Sequence, residues 1–139
     1  MNESEITDVL LGDAVAVAAA LLLPVSLPNR SFNPPDTGKY LEVIQFRNTA
    51  GSPSWGGMAV YMGILQISYH QRNDDTGAMP GADIQAAIES YYRKNRLIYG
   101  PTGKITIYQN ASELTPITET DKTIYPVSIP YIASRGEGS

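Results

Sequence analysis

Three prolines placed between an apolar helical pattern and a strand pattern constrain this chain most. Pro28, Pro34 and Pro35 each fix φ and lack an N–H, and each pushes the residue before it towards extended backbone. The stretch from Leu27 to Arg47 therefore opens as a stiff connector that cannot be helix. Asp36-Thr37-Gly38 supplies turn chemistry, with Gly38 free to take positive φ. Tyr40 to Phe46 then reads as a strand rich in β-branched and aromatic residues.

Ahead of the connector, residues 4 to 23 read as a helix. Ile6, Val9, Leu10, Asp13, Val17, Ala20 and Leu21 recur near helical spacing, Ser4 is the expected N-cap, and Pro24 is the stop. Its second half is apolar nearly all round, which predicts cover on more than one side, by a deep core or by another subunit. The apolar run Ala14 to Leu23 falls well short of the roughly 20 residues of a spanning helix. Acidic Glu3, Glu5, Asp8 and Asp13 precede it, where a signal peptide wants basic residues, so the expectation is a soluble cytoplasmic protein with no membrane partner.

Beyond the connector the pattern alternates between sheet and helix. In the first strand Leu41 and Val43 share one face and Ile44 and Phe46 the other, which implies a bulge or burial on both faces, the latter being favoured. Residues 48 to 57, NTAGSPSWGG, form a polar, glycine-rich loop that carries the single tryptophan, read either as a surface loop or as an interaction arm. A long strand over about 58 to 70 sets Leu65, Ile67 and Tyr69 against Gln66, Ser68 and His70, with Gly63 marking a bulge or a close backbone approach. Pro80 to Leu97 reads as the second helix, with Arg93, Lys94 and Arg96 at its negative end. Strands over about 104 to 109 and 124 to 132 follow. Pro126 and Pro130 have the same parity, so their missing N–H groups fall on one side, which predicts an edge strand or one interrupted there.

The order α-β-β-α-β-β predicts an α+β fold, an antiparallel or mixed sheet of about four strands packed by an N-terminal and a central helix. One domain over 1–133 and a flexible tail over 134–139 are expected from the 139 residues.

Composition argues against chemistry. The chain has no cysteine and one histidine, which excludes thiolate sites and leaves little for zinc or a histidine triad. A net charge of −4 makes a broad nucleic-acid face improbable. Gly100-Pro-Thr-Gly-Lys104 has the wrong spacing for a phosphate loop, Asp74-Asp75 lacks the rest of a calcium loop, and no nucleophile elbow is present. The expectation is a protein that is not an enzyme and has no catalytic residue, metal or cofactor.

Three stretches taken together resemble the tail terminator (tail completion) proteins of long-tailed bacteriophages. The first is the N-terminal helix followed by Pro28-Asn29, Phe32-Asn33-Pro34-Pro35 and Gly38-Lys39-Tyr40-Leu41-Glu42-Val43. The second is Gly63-Ile64-Leu65-Gln66-Ile67, a turn around Gly77, and the helix Ala82 to Tyr92. The third is Tyr125-Pro126-Val127-Ser128-Ile129-Pro130-Tyr131. The family's aromatic–glycine ending of the second helix is replaced by Tyr91-Tyr92-Arg93-Lys94-Asn95.

The resemblance implies a structural virion protein, forming a ring, commonly a hexamer, at the head-proximal end of the tail. Its implied partners are copies of itself, the tail tube protein and a head-completion or connector protein, with DNA only passing through the lumen. Another neck component, or a tube protein, is the rival within the structural class; a small nucleic-acid-binding module or enzyme is the remote one. Candidate interface residues are Phe32, Pro34 and Pro35 on the connector, Arg47, Ser54, Trp55 and Gly56 at and within the loop, and Arg93, Lys94 and Arg96 after the second helix.

Overall fold

The computed structural model describes residues 2–28, 30–47, 60–73 and 80–134. It is an α+β fold with two helices, α1 (Glu3–Ala20) and α2 (Pro80–Tyr91). Its strands are β1 (Val25–Ser26), β2 (Tyr40–Arg47), β3 (Val60–Arg72), β4 (Leu97–Gly100), β5 (Gly103–Thr106), β6 (Ser112–Glu113), β7 (Ile117–Thr118) and β8 (Lys122–Ser134). They form one mixed sheet in the order β1-β2-β3-β8-β5-β4, with β6 and β7 also paired to β8. The two long strands, β3 and β8, are its spine, antiparallel from Val60↔Ser134 to Arg72↔Lys122.

Sequence alternation decides the inner face. Leu41 and Val43 of β2, Leu65, Ile67 and Tyr69 of β3, and Tyr125, Val127, Ile129 and Tyr131 of β8 are all buried. Against them lie Ile6, Leu10, Ala14, Val17 and Ala18 from α1 and Ile88 of α2, with Tyr92 just beyond it. Helix α2 is pressed so closely onto β8 that a Cβ at Gly81 would meet the ring of Tyr125. Gln85, itself buried, donates to the carbonyls of Pro126 (2.8 Å) and Leu114 (2.9 Å), tying the helix to the strand below. Both helices pack on this face.

Several boundaries differ from the sequence reading. The N-cap of α1 is Asn2, whose side chain accepts from the N–H of Glu5 at 2.8 Å; Ser4 lies inside the helix. Helix α2 stops at Tyr91, because the chain then turns back to pair with residues 107–111: Asn95 N–H bonds to the carbonyl of Ile107, Ile107 N–H to that of Arg96, and Lys94 N–H to the Asn110 side chain. The basic cluster therefore lies beyond the helix.

The sheet has twice the expected number of strands. The additional ones, β1, β4, β6 and β7, are two to four residues long and exist because a neighbouring strand offers them a ladder. Gly100-Pro-Thr-Gly103 forms the turn of the β4–β5 hairpin.

β8 is not an edge strand. It is flanked by β3 on one side and by β5, β6 and β7 on the other. The Pro126 carbonyl points to the β6 side, where it accepts from Leu114 N–H, so the missing N–H groups of Pro126 and Pro130 also face that flank. The flank is broken into three short strands there, so the expected interruption is present while the β3 ladder runs on.

Candidate functional site

The face of the sheet away from the helices has two unlike ends. At one, connector and sheet close over each other. Phe32 packs on Tyr40 with ring centroids 5.0 Å apart, and Tyr40 stacks on His70 at 4.5 Å and 12°. His70 is buried and its Nε2 donates to Glu42 Oε1 at 3.1 Å. Burial holds its pKa below the usual histidine range, against the opposing pull of Glu42. The ring is thus neutral at pH 7 and ties β2 to β3.

At the other end that face lies open. Phe46 of β2 is 49% exposed and faces Ile64 of β3, which is 38% exposed. Pro130 and Ile132 of β8 continue the row, half-buried, and Leu97 of β4 lies beyond, across Thr106. No bulge breaks the β2–β3 register. The expected burial of both faces of β2 holds as far as Ile44 and fails at Phe46, because the connector covers only the Tyr40 end.

A free backbone edge adjoins this face. β1 pairs only with Leu41 and Glu42. Leu41 N–H points to that side, bonding the carbonyl of Pro24, and the pairing of Ser26 with Glu42 occupies that side as far as Val43, so by alternation the backbone groups of Gln45 and Arg47 face no partner strand among the described residues. The cleft alongside, about 390 Å³, is lined by Thr7, Ser26 to Pro28, Glu42 to Gln45, and Arg47. A polar chain braces its floor: Arg47 donates to Thr7 (2.6 Å), Thr7 to Gln45 (2.8 Å), and Gln45 to the Tyr131 hydroxyl (2.8 Å).

The residues proposed from sequence fall in different places. Phe32 and Pro35 are half-buried in the connector and Pro34 is exposed. Arg47 is exposed but held by Thr7 and by Glu3 at 3.5 Å. Arg93 and Lys94 are exposed. Arg96 is a clamp between elements: it makes a forked contact to Asp13 of α1 (2.6 and 3.0 Å), donates to the Tyr91 carbonyl (2.7 Å) and lies 5.1 Å from the Tyr92 ring centroid. Burial, then the charge of Asp13, push the Tyr92 hydroxyl pKa strongly upward. Ser54, Trp55 and Gly56, with the rest of the 48–57 loop, lie outside the described residues, as do Asp74 and Asp75.

Two features escaped the sequence reading. One is the open end of the outer face; the run Ile44 to Phe46 signalled it only as an irregular alternation. The other is Leu22. Helix α1 ends with Leu23 N–H bonded to the Ala18 carbonyl and Leu22 N–H to that of Ala19, which is the Schellman pattern. That pattern places a left-handed residue after the cap, and Leu22 has φ of 59° where glycine is usual. Its side chain is 89% exposed.

Such an arrangement offers surfaces for association. Among the described residues no group of three or more His, Cys, Asp or Glu could hold a metal, and no helix is long and apolar enough to cross a membrane. A family model described as "Phage tail terminator protein" matches residues 5–131, nearly the whole chain. The chain belongs to the phage tail terminator family. Its role is accordingly structural, as a component of the tail of the virion. A solved structure 20% identical in sequence superimposes on this terminator with a TM-score of 0.80, covering 100% of this chain and 99% of its own, which establishes the shared fold. A search of curated proteins gives no sequence match.

Proposed function

We propose that the protein caps the tail tube at its head-proximal end. Copies close into a ring, with six subunits as the expected number; one ring face matches the growing tube, and the other does not template a further layer. That second face is the joining surface for the head-completion or connector protein. The observation that carries this reading is the family match over residues 5–131. The open sheet face and the end of the β2 edge, without a partner strand among the described residues, support it, because capping works through shape-matched contact, and heterologous contacts can close a ring. DNA only passes through, so the lumen is not strongly basic, since phosphate binding would slow passage.

Negative-stain imaging of tails assembled with and without the protein tests this. Abnormally long tubes in its absence are expected; tails of unchanged length would refute it. A tube protein, the rival reading, would polymerise unaided into long fibres, whereas a terminator stops at rings. Deleting Thr49 to Gly56 should leave a folded subunit that caps poorly, and normal tail lengths after that deletion would remove the loop from the contact with the tube or the neighbouring copy.

A further inference from the structure

The solvent side of α1 breaks the rule for a surface helix. Its exposed positions run Ser4, Asp8, Gly12, Val15, Ala16, Ala19 and Ala20, so none beyond Asp8 is polar, and after Asp13 no charged residue occurs until Arg30. A helix that faces water normally carries polar side chains there. Leu22 then adds two local costs at once, a left-handed backbone that disfavours any side chain and a leucine left 89% in water. Glycine would avoid both, so what Leu22 supplies is a projecting apolar knob.

We propose that α1 of one copy, through Val15, Ala19 and Leu22, packs onto the open sheet end of the next copy, formed by Phe46, Ile64 and Leu97. This rests on the ring reading above and names the surfaces that would close it. Three observations select a second copy as the occupant. Helix α1 packs on the inner face of the sheet, so its solvent side looks away from the outer face, and one chain presents both surfaces on different sides, as head-to-tail association requires. None of the six contact residues is charged, so joining them buries apolar area; Asp8, nearly two turns from Val15, and Lys104, beside Thr106 on the outer face, lie outside the contact. The surfaces also complement one another in relief: alanines leave a shallow helix ridge, while Phe46 and Leu97 project from the sheet.

Sedimentation of the full chain carrying Leu22→Asp or Phe46→Asp tests the contact, with thermal unfolding as the folding control. Each variant should stay folded and weaken copy–copy association at least about thirty-fold, as loss of an interface anchor does. If Phe46→Asp fails to fold, Phe46→Ser serves in its place. Mixing the two variants is the sharper experiment. Each retains the surface the other has lost, so the mixture should form one-to-one dimers and no rings.

Unchanged assembly of both variants would overturn the inference and leave the capping reading standing. So would loss of association in Phe46→Asp alone, which would seat something other than α1 on the sheet. Rings that assemble normally but no longer cap tails would assign the sheet end to the tube protein and overturn it as well. Tails of normal length made without the protein would refute capping, while the mixing experiment would still decide the contact.

Discussion

Replacing Leu22 by glycine should make the isolated subunit more stable, although it removes a leucine. The left-handed conformation costs an ordinary residue about 1–2 kcal/mol, and glycine escapes that cost. Glycine loses more conformational freedom on folding, which takes back about 0.5–1 kcal/mol. The side chain is 89% exposed at φ of 59°, so its removal forfeits little burial. The balance is a gain of about 0.5–1 kcal/mol, a rise in Tm of about 2–4 °C for a domain of this size. Thermal and urea unfolding measure it, best in a Phe46→Asp background so that association adds nothing to the apparent stability. The same substitution in the unaltered chain should weaken self-association. A Tm lowered by more than about 2 °C would mean that Leu22 is anchored within its own subunit, and would refute both the strain argument and the proposed contact.

Other substitutions probe the packing that holds these surfaces in place. Gly63→Ala would drive a Cβ into the backbone carbonyl of Phe46 and the ring of Tyr131, costing about 1–3 kcal/mol in urea unfolding; a neutral result would show that β2 and β3 can part there. Asp13→Ala removes the forked partner of Arg96 and should cost about 2 kcal/mol, with hydrogen exchange speeding up first over residues 92–96. His70 gives a pH signature. Its folded pKa lies below the ordinary value of about 6.5, so the unfolded chain binds the extra proton and stability falls as pH drops through about 6.5, levelling off below the folded value. Comparing Tm at pH 7.5 and 5.5 should show a larger acid loss in wild type than in His70→Gln, and equal losses would show that the ring is not the group responsible.

Residues that serve two long elements were legible in the sequence. Strict alternation at Leu65–Ile67–Tyr69 and Tyr125–Val127–Ile129–Tyr131 marks one buried face, and the structure buries every one of them. Gly63 announced a close approach, and the Phe46 carbonyl is what it meets. The short strands were not legible, because two residues such as Ser112–Glu113 have no period and become strand only by borrowing the ladder of β8. The paired prolines identified which flank lacks donors, but a strand can be short of donors on one flank and still be central. The end of α1 was the hardest to read. Leu21-Leu22-Leu23 looks like continuing helix, and only the backbone reveals that the middle leucine has turned outward.

Pro126 and Pro130 limit what a neighbouring chain could do at β8. A strand as long as β8, if able to donate as well as accept hydrogen bonds along its whole second side, would invite any loose segment of a neighbour to zip onto it, and such pairing propagates without limit. Two missing donors in register permit only short stitches there. They disfavour fibre-forming backbone contacts on that flank, so in the proposed ring the contacts fall to side-chain surfaces.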